Sequence, residues 1–142
     1  MHAIDLISAD IVPLKPTDLV GLAQERMEEL KLAHLPVVES GRLVGLVSER
    51  ALQENGGPAT PVRGAMDQVE LPYVRGPQHV YDVVKLLMER GLSMVPVLDV
   101  EGRYLGAVNE HTALLRLSEV TNVREPGSVL VLEVNAIDYS LQ

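Results

Sequence analysis

The 142-residue chain contains no cysteine, no phenylalanine and no tryptophan. Without cysteine, disulfides, thiolate chemistry and cysteine-based zinc sites are excluded. Without the two largest apolar rings, any core must be built from Val, Leu, Ile, Met and Ala. No run of about twenty apolar residues exists, which argues against a membrane-spanning helix. The N-terminal stretch Met1–Leu14 lacks the basic start and unbroken apolar run of a secretory signal. The expectation is a soluble, cytoplasmic protein without membrane insertion. Cations are scarce too: 12 Lys and Arg face 20 Asp and Glu, for a net charge of −8. Nucleic-acid binding needs clustered cations to displace counterions, and no basic block is present.

Catalytic patterns are equally missing. There is no Gly-Lys-Ser/Thr loop, no serine nucleophile elbow and no paired-carboxylate arrangement. The four histidines, His2, His34, His79 and His111, include no i, i+4 pair with an accompanying carboxylate, so metal-ligand grammar is absent. The expectation is a chain that is not an enzyme and holds no metal.

What is present is one phrase said twice. His34–Leu52 reads HLPVVESGRLVGLVSERAL, and Met94–Leu114 reads MVPVLDVEGRYLGAVNEHTAL. Each copy has a short apolar run carrying a proline, a polar turn with Gly-Arg, and a second apolar run through a glycine. Short β-branched runs around a Gly-containing turn read as a hairpin. Lys15-Pro16 and Gly76-Pro77 lie 61 residues apart, Pro36 and Pro96 lie 60 apart, and Gly45 and Gly106 lie 61 apart. The slips fall in loops, where insertions are tolerated. A half of about sixty residues buries too little surface to stand alone, so the copies are expected to share a core.

The same plan can be read along each half. Residues 2–9 are expected to form a short amphipathic helix and Ile11–Leu14 an extended segment. Thr17 or Asp18 is the expected cap of a helix whose stripe is Leu19, Leu22, Ala23, Met27 and Leu30. Hairpin Leu35–Val38 and Leu43–Val47 follows, then a short helix capped by Ser48 and stopped at Asn55-Gly56-Gly57-Pro58. Gly56–Pro61 reads as the linker. The second half offers a helical turn at Val62–Met66 and an extended Leu71–Val74. A helix through Val80, Val83, Val84 and Leu87 then stops at Gly91. Hairpin Met94–Leu98 and Tyr104–Val108 precedes a helix capped by Asn109 and running to about Ser118. Each half reads β-α-β-β-α, an α+β plan.

These repeated residues resemble a tandem pair of CBS domains, the regulatory module named after cystathionine β-synthase. They are His34-Leu35-Pro36-Val37-Val38 with Leu43–Arg50, and Met94-Val95-Pro96-Val97-Leu98-Asp99 with Tyr104–Asn109. The resemblance covers roughly residues 3–118. It implies two pseudo-symmetric units packed sheet to sheet, divided at 1–57 and 58–120, with an extension at 121–142. It further implies an adenosine-containing ligand such as AMP, ADP, ATP or S-adenosylmethionine in a cleft between units, and a homodimer packed through helices.

The family's nucleotide motif places a Gly first, a hydroxyl residue three positions on, and an Asp three further. In the first copy these positions are Gly45, Ser48 and Ala51, with Arg50 able to reach a phosphate. In the second they are Gly106, Asn109 and Thr112, with His111 beside them. Ala51 cannot hold a ribose, and a lost hydrogen bond to a charged group is worth about 1.5–3 kcal/mol. Affinity should fall by about tenfold to more than a hundredfold. Thr112 offers one neutral partner. By the same resemblance, Ile11, Val12 and Tyr73 fall where relatives line the base pocket, and His34, Leu35, Pro36, Met94, Val95 and Pro96 on the backbone that faces the base. Against this stand simpler roles: Ser48 and Asn109 as helix caps, the prolines as strand punctuation, the apolar residues as core.

The leading reading is a non-catalytic regulatory module sensing an adenine nucleotide. The rival is a structural homodimerisation module whose sites have decayed. Beyond the repeat, Val129–Val134 has five apolar residues in six and favours a strand. It resembles the first strand of an ACT-like domain, as though the chain were a shortened form of a longer protein.

Overall fold

A computed structural model describes residues 1–120 of the chain. The expected strand at Val129–Val134 lies outside the described residues. Among those described, the order is a 3₁₀ turn Ala3–Leu6, α1 Val20–Leu30, β1 His34–Glu39, β2 Arg42–Ser48 and α2 Glu49–Glu54. A second 3₁₀ turn Val62–Gly64 follows, then β3 Val74–Arg75, α3 Val80–Arg90, β4 Met94–Leu98, β5 Tyr104–Asn109 and α4 Glu110–Val120.

Both repeated phrases form antiparallel hairpins. His34 pairs with Ser48 and Leu35 with Val47; in the second copy Met94 pairs with Asn109 and Val95 with Val108. A strand enters each sheet in parallel from upstream of the long helix. In the second unit it is β3, with Val74 opposite Val97. In the first it shrinks to one bridge, Leu14 to Val37. The extended segments expected at Ile11–Leu14 and Leu71–Val74 are therefore shorter than the sequence pattern implied. Pro16, two residues after Leu14 on the side that faces β1, and Pro72, two residues before Val74 on the side that faces β4, have no N–H to donate and limit the two ladders.

α3 buries its expected stripe, Val80, Val83, Val84 and Leu87. On α1 Ala23 and Met27 are buried as expected and Leu22 and Leu30 half-buried, but Val20 takes the place of Leu19, which lies exposed just ahead of the first helical turn. The start of α1 departs from expectation. Neither Thr17 nor Asp18 caps it. Leu19 holds the cap position, and the Asp18 carboxylate accepts the Lys15 N–H at 2.8 Å instead. The first helical N–H groups donate to the linker, Val20 to Thr60 O at 2.7 Å and Gly21 to Pro58 O at 2.9 Å. Orphan donors at a helix start must be met somewhere, and here a distant carbonyl pair does it. The helix expected over residues 2–9 is likewise only the four-residue 3₁₀ turn.

That turn belongs with the second half. Ala3 N–H donates to Gln78 O, Ile4 N–H to Gly76 O, and Ser8 N–H to Ala107 O. Reciprocally, Val62 N–H donates to Asp18 O, and Asp67 and Leu46 exchange two hydrogen bonds at 2.7 and 3.0 Å. Each half thus lays its leading segment across the other half's hairpin. Two glycines make room. A Cβ at Gly45 would sit 2.7 Å from Met66 Sδ, and one at Gly106 would collide with the Ile7 side chain. Leu14, Leu35, Val37, Val47, Met94, Val95, Val97 and Val108 join one continuous core drawn from both halves.

Candidate functional site

The crossing of the leading segments leaves a cavity at the motif of the first half. Its volume is about 200 Å³, and its walls are His34, Leu46, Ser48, Ala51, Ala65, Asp67, Pro72, Arg90 and Leu92. β1 begins at His34, β2 ends at Ser48, and α2 carries Ala51. The segment 65–72 arrives from the second half, and the last turn of α3 brings Arg90.

Ser48 caps α2: its Oγ accepts the Ala51 N–H at 3.1 Å, with the backbone extended at φ −111°, ψ 157°. The hydroxyl proton stays available to a ligand. Asp67 Oδ1 accepts the Val69 N–H at 3.2 Å, and Arg90 Nη2 donates to Glu70 O at 3.1 Å. His34 sits at the junction of the halves. Its Nδ1 accepts the Ser93 N–H at 3.2 Å and lies 3.0 Å from Ser93 Oγ, which accepts the Ala33 N–H at 3.0 Å. Burial holds the imidazole below its ordinary pKa, because a buried cation loses hydration. The neutral ring with its proton on Nε2 fits this geometry.

A sequence profile of the CBS domain matches this chain twice, at residues 3–55 and 62–119. The chain belongs to the CBS domain family. Its two units form the CBS pair expected from the repeat, and solved CBS pairs share the architecture. A CBS domain pair/ACT domain protein from Thermotoga maritima aligns at a TM-score of 0.75 and 21% identity, covering 85% of this chain and 99% of that one. CBSX2, solved in complex with AMP, aligns at 0.69 and 23% identity, covering 84% and 97%. An inosine-5′-monophosphate dehydrogenase from Methanocaldococcus jannaschii is 24% identical over 113 residues, 79% of this chain. The match spans 23% of that enzyme's length.

The CBS pair distributes the sequence-derived candidates unevenly. Ser48 and His34 line the cavity together. Arg50 does not: it lies exposed on α2 and pairs with Glu54 at 3.3 Å. Arg50 sits one residue before Ala51, about 100° around the helix axis from it, which turns it from the cavity, and Arg90 of the second CBS unit stands there instead. Leu35, Pro36, Met94, Val95, Pro96 and Ile11 are buried. Val12 is exposed beside a separate recess of about 480 Å³ shared with Pro13–Thr17 and Val38–Gly41. Tyr73 lies on the surface with the Arg75 guanidinium 5.3 Å from its ring centre. In the second CBS unit, Asn109 Oδ1 accepts the Thr112 N–H at 2.6 Å, so it caps α4 as expected, and His111 is exposed.

Sequence reasoning missed Asp67, Pro72 and Arg90 because it assigned residues 62–92 to their own unit. Gly45 held the clue. A glycine in mid-strand marks a close approach, and what approaches is the neighbouring segment that ends in Asp67.

Proposed function

We propose that this CBS pair is a non-catalytic regulatory module that binds an adenosine-containing molecule in the first-unit cavity. The observation that carries the reading is the convergence of both units on one small cavity. Its lining mixes the apolar Leu46, Ala51, Ala65, Pro72 and Leu92 with an imidazole at His34, a hydroxyl at Ser48, a carboxylate at Asp67 and a guanidinium at Arg90. Apolar contacts beside a few placed polar groups are what orients a small ligand. The cavity is smaller than the range of about 300–1,000 Å³ typical of ligand pockets, so it holds a nucleoside end with the rest reaching outward. A related CBS protein solved with AMP supports the choice of ligand class. In this reading His34 and Ser48 contact the ligand, while Asn109, His111 and Thr112 form the weaker second-unit counterpart. Ile11, Leu35, Pro36, Met94, Val95 and Pro96 support the walls from the core.

The test is calorimetric titration with AMP, ADP, ATP and S-adenosylmethionine, paired with thermal shift. A ligand present at a hundred times its dissociation constant should stabilise by about 2.7 kcal/mol. Silence with all four at millimolar concentration would sink the reading and favour the structural rival. A homodimer is the second part of the proposal, favoured by the exposed Tyr81 and Met88 of α3 and Leu115 of α4. Light scattering that finds only monomer at tens of micromolar would count against it.

A further inference from the structure

We propose that Asp67, contributed by the crossing segment of the second unit, is the hydroxyl acceptor of the first-unit cavity. The site is thereby selective for a ribonucleoside with an intact cis-diol. This rests on the reading of that cavity as a nucleotide site and names how the sugar is recognised there.

Few acceptors on the cavity lining are open to a ligand hydroxyl. Ala51 has none. Ser48 Oγ already accepts the Ala51 N–H, and His34 Nδ1 already accepts the Ser93 N–H. Asp67 is the one carboxylate among the lining residues. Its Oδ1 accepts the Val69 N–H at 3.2 Å, and among the described residues its Oδ2 accepts no hydrogen bond. A carboxylate has lone pairs enough to take both hydroxyls of a cis-diol while keeping one backbone donor.

The carboxylate is also held in place before any ligand arrives. The Asp67 N–H donates to Leu46 O at 2.7 Å, and the Leu46 N–H donates to Asp67 O at 3.0 Å. Residue 67 is thereby fastened to the strand that runs into Ser48. Such pre-organisation lowers the ordering cost of binding.

Charge pairing gives a third reason. Arg90 lines the same small cavity, yet no ion pair links it to Asp67; it donates to the Glu70 carbonyl instead. The two charged ends therefore stay open to different parts of one ligand. The carboxylate suits hydroxyl donors and the guanidinium suits an anionic group such as a phosphate.

The experiment compares adenosine, 2′,3′-dideoxyadenosine and AMP by calorimetry on the full chain, its Asp67→Asn variant, and the double variant Ala51→Asp, Asp67→Asn. The parent should prefer adenosine over the dideoxy analogue by about tenfold or more. Asp67→Asn, an isosteric change at an exposed residue, should weaken AMP by a similar factor and abolish the preference. Adding Ala51→Asp should restore it from the opposite wall. Equal affinity of the parent for adenosine and its dideoxy analogue overturns the proposal without any variant. An undiminished preference in Asp67→Asn, in protein that melts like the parent, overturns it too. In both cases the reading of the cavity as a nucleotide site survives. If the parent binds none of the probes, that reading falls and takes the assignment of Asp67 with it.

Discussion

The two CBS units are built on one plan and diverge at matched positions. Where the first unit has Ser48, Ala51, His34 and Lys31, the second has Asn109, Thr112, Met94 and Gly91. The backbone frame tolerates all four exchanges: the hairpins keep the same pairing, and α2 and α4 both keep a side-chain cap. What changes is chemistry at the junction. The first unit offers a hydroxyl cap, a titratable ring and a borrowed carboxylate. The second offers a carboxamide, whose oxygen caps its own helix as the Ser48 hydroxyl oxygen does, with a thioether in place of the ring. The two copies keep the same packing rules and differ at the polar positions.

The largest expected asymmetry is in packing. Gly45→Ala and Gly106→Ala both push a methyl group against a crossing segment. At Gly45 the obstacle is Met66, an unbranched side chain that can swing aside. At Gly106 it is Ile7, β-branched and stiff at χ1, one residue before the Ser8–Ala107 hydrogen bond. Overpacking costs typically 1–3 kcal/mol. Gly106→Ala should fall near about 3 kcal/mol and Gly45→Ala near about 1 kcal/mol. Urea unfolding of both variants checks this, and equal losses would break the distinction.

The next effect is confined to one unit. His34 has its counterpart in Met94, which does not titrate. The folded His34 has a lowered pKa because burial disfavours the cation. The unfolded chain, near 6.5, then binds more protons than the folded one across the window between the two values. Stability is therefore fully present above about 6.5 and is lost as pH falls through that window. Protonating Nδ1 would also turn the acceptor of the Ser93 N–H into a donor. Denaturation followed between pH 7.5 and 5 should show the loss, and His34→Gln should flatten it. A parent curve with the same slope as His34→Gln would remove His34 from the account.

The caps come next. Ser48→Ala and Asn109→Ala should each cost about 1 kcal/mol, the usual value of a lost N-cap. The two should part company on ligand: Ser48→Ala lowers the tighter nucleotide affinity, that of the first-unit cavity, and Asn109→Ala touches only the weaker second-unit counterpart. If the two variants lose the tighter affinity alike, it does not reside in the first-unit cavity.

The caps also mark how far the sequence could be read. Ser48 and Asn109 were legible because a cap acts within three residues, and the hairpins were legible because Pro, Gly and β-branched residues act locally. Gly91 announced its helix end in the same way. The linker carbonyls that start α1 were not legible, since a polar side chain near Leu19 offered a nearer cap. Asp67 was hidden for the same reason. Its role depends on a segment crossing from one unit to the other, and a residue string does not show which hairpin a turn will lie across. The candidate site was half visible: the wall made by the motif could be read, and the wall supplied by the opposite unit could not.

The smallest effect concerns how the long helices end. α1 closes with Lys31 at φ 59°, ψ 41°, and α3 closes with Gly91 at φ 62°, ψ 41°. The backbones are the same to a few degrees, yet only one carries a Cβ. For an L-residue this left-handed conformation costs about 1–2 kcal/mol, and glycine adopts it without that penalty. Lys31→Gly would remove the strain while adding freedom to the unfolded chain, which takes back about 0.4–1 kcal/mol. The net expectation is a gain of about 0.5–1 kcal/mol, or a few degrees in Tm for a chain of this size. Gly91→Ala runs the comparison backwards, introducing the Cβ where the second unit has avoided it, and should lose about 1 kcal/mol. Thermal melts of the two variants should therefore move in opposite directions. A Lys31→Gly protein no more stable than the parent would mean that the lysine stem recovers the strain through packing along α1, and that the two helix ends differ in energy less than their side chains imply.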